Sequence, residues 1–204
     1  LGQLGRAFNI ATATLQRLYG ELEQRSTHDG LTGALNRAAF DQRLSAECKS
    51  ADRHKRSMSL LMVDIDYFKR VNDDHGHQTG DQILQNLVWL LNETLRPGDT
   101  LARYGGEEFI VILPDADEAG AMAMAERVRR AVEGHAFYCP SGNNIDVTVS
   151  VGCASRRTAE MASGELIKAA DAALYRAKKI GRNRVVSASE LSLARRSGAK
   201  KAAA

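Results

Sequence analysis

The sequence predicts an α+β fold with a central, mainly antiparallel sheet, and three observations carry this. The elements read in the order helix, strand, helix, hairpin, helix, strand, helix, strand. That order places helices on one face of an antiparallel sheet, a ferredoxin-like sandwich. Leu60-Leu61-Met62-Val63 is apolar throughout, as a central strand buried on both faces should be. Two short apolar segments flank Gly105-Gly106, which reads as a hairpin.

Composition fits one globular domain with extensions. The 204 residues are 44% hydrophobic and 26% charged, which suits a domain of about 150–170 residues. We divide the chain into a helix over 1–26, a domain over 27–187 and a flexible basic tail over 188–204. The net charge of +3 lies partly in that tail, at Arg195, Arg196, Lys200 and Lys201. It is too mild to point to nucleic acid, but a phosphate-bearing small molecule is compatible. Cys48, Cys139 and Cys153 are odd in number and lack metal spacing, which points to a reducing compartment. His75 and His77 read as loop histidines rather than zinc ligands. No apolar run approaches the roughly 20 residues of a membrane span, and no signal peptide is visible. A cytoplasmic chain that makes no membrane contact of its own is expected.

Residues 1–26 read as a helix. Leu1, Leu4, Phe8, Ala11, Leu15, Leu18 and Leu22 recur at spacings of three and four. This seam favours a coiled coil between two chains, with an amphipathic helix packed on its own domain as the alternative. The opening Leu1 to Asn9 resembles the end of a HAMP signalling module, which implies the output region of a larger inner-membrane sensor. Thr27 to Arg37 is a glycine-rich joint in which Asp29 and Thr32 can bond nearby amides. A helix over 37–53 follows, with Phe40 and Leu44 on its apolar side.

Ser57 to Ile65 is the central strand, and it runs into Asp64 and Asp66. A carboxylate at the end of a buried strand needs a partner. That partner is a metal ion, a lysine or a turn that the carboxylate caps. Magnesium suits a site of few carboxylates completed by phosphates and waters. A helical turn and a polar loop lead to Gly80-Asp81, which open a helix over 81–95 with Ile83, Leu84, Leu87, Val88 and Leu91 buried. Asp81 is a candidate cap for that helix. Arg96-Pro97-Gly98-Asp99 is a turn.

The hairpin strands are Leu101 to Tyr104 and Glu107 to Leu113, joined by Gly105-Gly106 as a two-residue turn with positive φ. Glu107 and Glu108 then stand at its lip, either as exposed glutamates or as carboxylates placed to hold a cation. A helix over 117–134 follows, then one strand over 144–154 and a helix over 164–180 capped by Gly181. Lys178 and Arg182, four apart, could point the same way. Two solvated cations at a helix C-terminus would be equally sound physically. Arg184 to Ser187 is a final strand.

Five segments in one register, across about residues 27–187, resemble the GGDEF family, the diguanylate cyclases. They are Asp29 to Arg37, Asn72 with Asp81, Arg96-x-x-Asp99, Gly105 to Phe109, and Asp171 to Asn183. The resemblance implies the palm fold of nucleotide cyclases and polymerases, and condensation of two GTP into cyclic-di-GMP with release of two pyrophosphates. It implies Mg²⁺, with Mn²⁺ as a substitute, held by Asp64, the Ile65 carbonyl and Glu107. Glu107 and Asp64 would be catalytic, with Glu108 a further participant. Asn72 and Asp81 would read guanine; Phe68, Lys69, Gly105 and Gly106 would line the substrate site; Lys178 and Arg182 would hold the triphosphate. Arg96 and Asp99, with Arg127, would form an inhibitory site for the product. The partners implied are GTP, cyclic-di-GMP and a second copy of the chain, joined through the N-terminal helix.

The other readings are a catalytically silent GTP- or cyclic-di-GMP-binding domain and a mononucleotide cyclase or polymerase-like palm. Every matched catalytic position is intact, and Glu in place of Asp at 107 keeps the carboxylate. Asn72, Asp81, Lys178 and Arg182 argue against the second alternative.

Overall fold

The structure, a computed structural model, describes residues 27–139, 142–157 and 161–191. The expected N-terminal coiled coil, the HAMP resemblance and most of the tail lie outside the described residues. Strand β1 (Met58–Ile65) is the centre of the fold, and every one of its residues is buried. It pairs antiparallel with β3 (Glu108–Pro114) on one side and β6 (Val149–Arg156) on the other. β2 (Thr100–Arg103) extends the sheet antiparallel beyond β3, and β7 (Val185–Ser187) extends it parallel beyond β6. The strand order is β2-β3-β1-β6-β7, so the sheet is mainly antiparallel, as expected.

Helices cover both faces of this sheet rather than one, and the alternation along β1 explains why. Leu61, Val63 and Ile65 face α3 (His77–Thr94) and α4 (Glu118–Glu133), meeting Ile83, Leu87 and Val128. Met58, Leu60 and Met62 face α1 (Arg37–His54) and α5 (Ser163–Lys179), meeting Phe40, Leu44, Leu166 and Ala170. Successive side chains point to opposite faces, so an unbroken apolar strand has two apolar faces, and each needs a cover.

Two element boundaries depart from the sequence expectation. α2 (Phe68–His75) and α3 are separated only by Gly76 at φ +83. α3 thus begins at His77, and Asp81 lies within it instead of capping it. The strand expected over 144–154 is two strands. β5 (Asn144–Ile145) pairs with β4 (Phe137–Tyr138), while β6 joins the central sheet. Between them Thr148 is drawn to Asp66. Its hydroxyl donates to the Asp66 carboxylate at 2.8 Å, and its carbonyl accepts the Asp66 N–H at 2.9 Å.

α5 rests directly on β6 at Gly152. A Cβ there would lie 2.1 Å from the Ala170 carbonyl oxygen and 2.3 Å from the Leu174 nitrogen. Both obstacles are backbone, so no side chain can rotate away. Gly152→Ala should therefore push α5 off the sheet and cost about 2–3 kcal/mol of stability in urea unfolding. Gly106→Ala is the control. Its Cβ meets nothing within 4 Å, and its cost should stay below about 0.5 kcal/mol.

Candidate active site

Asp64 is the penultimate residue of β1, directly opposite Glu108 on β3 and Ser150 on β6. By the alternation along β1 it lies on the α1/α5 face, and Lys178 in the last turn of α5 reaches it with Nζ 2.7 Å from Oδ2. Burial pushes the Asp64 carboxyl up to about 6; Lys178 opposes the shift, and Glu107 and Glu108 add to it. Burial also raises Glu107, again against Lys178 and with the help of Glu108. Three carboxylates thus crowd one lysine. Of the two acidic residues expected to need partners, Asp64 takes the lysine. Asp66 is satisfied by protein donors instead: Thr148, the Ser150 hydroxyl at 2.6 Å and the Asn183 N–H at 2.9 Å.

The hairpin loop is not the expected two-residue turn. Strand pairing stops at Arg103 and Phe109, and the Tyr104 and Gly105 N–H groups both donate to the Glu108 carbonyl, at 2.8 and 3.2 Å. Gly105 and Gly106 are not among the positive-φ glycines. A Cβ at position 105 would lie 2.6 Å from Glu108 Oε2, so a side chain there would displace the end of the Glu108 side chain. Position 106 is exposed and open. The loop is braced from below. The Arg103 guanidinium donates to the Gly106 carbonyl at 3.1 and 2.7 Å and to Asp29 at 2.9 Å. Asp29 also accepts the Thr32 N–H and hydroxyl. Burial would raise Asp29, but the Thr32 and Arg103 hydrogen bonds outweigh it and hold the carboxyl below its usual range. The Ile65 N–H donates to the Glu107 carbonyl at 3.4 Å, which ties the loop to the end of β1.

Among the described residues, no group of three or more His, Cys, Asp or Glu side chains forms a ready metal cage. The donors at hand are the Asp64 and Glu107 carboxylates, with Glu108 and the Ile65 main chain beside them. They are all oxygen, and their mutual repulsion is only partly relieved by Lys178. That set fits Mg²⁺, which binds through one or two carboxylates and takes its remaining ligands from phosphate and water.

Phe68 is buried at the start of α2, and Lys69 is exposed. Asn72 packs where α2 meets α3. A Cβ on Gly80 would lie 1.9 Å from Asn72 Oδ1, and that buried oxygen accepts no hydrogen bond among the described residues. Asp81, next to Gly80, is exposed. The two residues expected to read a base therefore share one helix junction.

Lys178 and Arg182 do not share a helix face. α5 stops at Lys179, Gly181 takes φ +124, and the Arg182 N–H donates back to the Ala177 carbonyl at 3.0 Å. Arg182 lies past the cap, with its guanidinium 4.3 Å over the Tyr67 ring and 3.2 Å from the Tyr67 hydroxyl. The i, i+4 argument fails because the helix ends between the two residues.

Arg96, Asp99 and Arg127 gather near the C-terminal end of α3. Arg96 folds back on Asp99 at 3.0 Å and donates to the Pro114 carbonyl at 2.6 Å. Arg127 on α4 reaches the Thr94 carbonyl and the Met124 sulfur. A cleft of about 500 Å³, lined by Arg96, Ser57, Asp117 and Met124 among others, opens beside them. Sequence reasoning passed over Arg103, Tyr67 and Asn183. Arg103 meets Asp29 across 74 residues and Tyr67 meets Arg182 across 115, and no local pattern marks such contacts.

The family described as diguanylate cyclase, GGDEF domain, matches residues 26–184. Diguanylate cyclase A of Treponema denticola is 43% identical over 136 residues, covering 67% of this chain and 36% of the relative. Response regulator PleD of Caulobacter vibrioides is 40% identical over 159 residues, covering 78% and 35%. The chain spans only about a third of the length of these two relatives. Among solved structures, the coiled coil and GGDEF domain of DgcB from Caulobacter crescentus, in complex with c-di-GMP, matches with TM-score 0.80 and 35% identity, covering 90% of this chain and 98% of that one. The family match spans Asp64, the glycine hairpin and Lys178, and the chain belongs to the GGDEF-domain family of diguanylate cyclases.

Proposed function

We propose that this chain condenses two GTP molecules into cyclic-di-GMP with release of two pyrophosphates. The observation that carries the reading is the crowding of Asp64, Glu107 and Glu108 at the end of β1, opposed by Lys178. Such a cluster gains by receiving a cation and the phosphates that come with it. Mg²⁺, or Mn²⁺ in its place, would be held by Asp64, the Ile65 carbonyl and Glu107, where it offsets charge on the phosphates. Asn72 and Asp81 present amide and carboxylate groups to the edge of guanine, a base rich in both donors and acceptors, and a wrong base leaves them unpaired. Phe68, Lys69, Gly105 and Gly106 border the nucleotide. Lys178 neutralises Asp64 in the free chain and turns to the phosphates when the nucleotide binds, and Arg182 joins it there.

Each chain binds one GTP, and two chains face each other. Each 3′-hydroxyl attacks the other nucleotide's α-phosphorus, a P–O bond forms, and pyrophosphate leaves. The raised pKa of Glu107 suits it to take the 3′-hydroxyl proton, with Glu108 beside it. The pairing of chains is assigned to residues 1–26. Arg96 and Asp99, with Arg127, bind the product and lower turnover. The domain works in the cytoplasm as the output of a larger sensor.

Incubation with GTP and Mg²⁺ should yield cyclic-di-GMP by chromatography, and Glu107→Gln should reduce the rate about 100-fold or more. GTP binding without product would instead identify a silent binding domain. Product formed only after forced dimerisation would mean half-sites held apart.

The same cluster sets a pH dependence. Asp64 is raised from 3.8 to about 6 in the folded chain. The folded state therefore binds more protons than the unfolded state between these values, and stability falls as pH rises through that window. Asp64→Asn should abolish turnover yet raise the melting temperature of the nucleotide-free chain at pH 7–8 by several degrees, on the order of 2–3 kcal/mol. The gain should vanish below about pH 4. A melting temperature equal to that of the parent at both pH values would refute this.

Arg96→Ala removes the fork that faces the cleft. Its progress curve should stay linear as product accumulates, where that of the parent bends. Equal curvature in the two would remove the inhibitory role.

A further inference from the structure

Gly181, Arg182 and Asn183 are left-handed in succession, at φ +124, +57 and +44. Glycine adopts this conformation freely and asparagine tolerates it, but arginine resists it, so a run of this kind with Arg182 at its centre needs outside restraint. The restraint is visible on every side of Asn183. Its N–H donates to the buried Asp66 carboxylate at 2.9 Å. Its side-chain oxygen accepts from Arg129 at 2.8 Å, and its side-chain nitrogen donates to Glu133 at 2.7 Å. Arg129 is itself clamped by Glu126 and Glu133 on α4, so the docking groups are preformed. The next residue after Asp66, Tyr67, is also left-handed at φ +57 and carries the ring on which the Arg182 guanidinium lies.

We infer that Asp66, Tyr67 and Asn183, backed by Arg129 and Glu133, are positioning residues that hold Arg182 ready for the phosphates of the nucleotide. The inference rests on the phosphate role proposed for Arg182. Asp66 and Asn183 hold its backbone, and Tyr67 holds its guanidinium. A free arginine must give up much rotamer freedom to grip a phosphate, and this one has given it up beforehand. Stacking uses the face of the guanidinium and leaves N–H groups at its edge for a phosphate.

The test is calorimetric titration of the whole chain, with Mg²⁺ present, using GTP and GMP as separate probes. Asn183→Gly keeps the left-handed backbone and deletes both bonds to α4. Tyr67→Asn tolerates the same backbone and deletes the stack, while Tyr67→Phe keeps the ring. Asn183→Gly and Tyr67→Asn should each weaken GTP about 5–10-fold and leave GMP within about twofold, with Tyr67→Phe close to the parent. In an Arg182→Ala background, Asn183→Gly should add no further loss. Equal weakening of GTP and GMP would reduce these residues to a general structural role and overturn the inference. So would parent-like GTP affinity in both variants while Arg182→Ala binds weakly. An Arg182→Ala chain that binds GTP like the parent would overturn the phosphate role itself, and the clasp with it.

Discussion

A strand buried on both faces cannot run into charge without finding a partner for it, and β1 carries the Asp64 carboxylate next to its end and Asp66 just past it. The two are resolved differently. Asp66 is enclosed by two hydroxyls and a main-chain N–H and becomes part of the frame. Asp64 has one lysine and two nearby glutamates, and its carboxyl stays raised near 6. A buried carboxylate that the protein only half satisfies keeps a strong preference for added positive charge. The stability of the fold and the reactivity of the site thus part within three residues of one strand.

The rest of the structure serves that strand end. The Asp29–Arg103–Gly106 chain of hydrogen bonds fixes the hairpin loop from the outer edge of the sheet, where Leu35 bridges to Ala102 of β2. The glycine-rich joint at residues 29–33 is therefore a brace for the loop that carries Glu107, which gives its structural reading a direct mechanical content. Gly152 lets α5 settle onto β6 closely enough for Lys178 to reach Asp64. α4 contributes a dense ion network, in which hydrogen bonds from Arg129 chiefly hold the Glu126 carboxyl down to about 2. That network ends on Asn183, beside the arginine expected to meet phosphate. Cysteine chemistry has no part in this. Cys153 is buried in the core, and burial pushes its thiol up to about 12.

Much of the fold was legible in the sequence because its signals are local. The apolar run at 60–63, the helical stripes and the glycine-marked hairpin each depend on a few adjacent residues. So did Asp64 and Glu107 as carboxylates at strand ends, and Gly181 as the stop of α5. The tertiary structure alone decided the partners of charges and the clearance around glycines. Asp66 and Asn183 meet across 117 residues, and Gly152 is required by a helix backbone that no pattern in its own strand foretells. The covering of both sheet faces, the separation of Lys178 from Arg182 and the break between β5 and β6 belong to the same class. Periodicity and turn chemistry are written in neighbouring residues, whereas the satisfaction of a buried charge and the closeness of two backbones exist only once distant segments have been packed together.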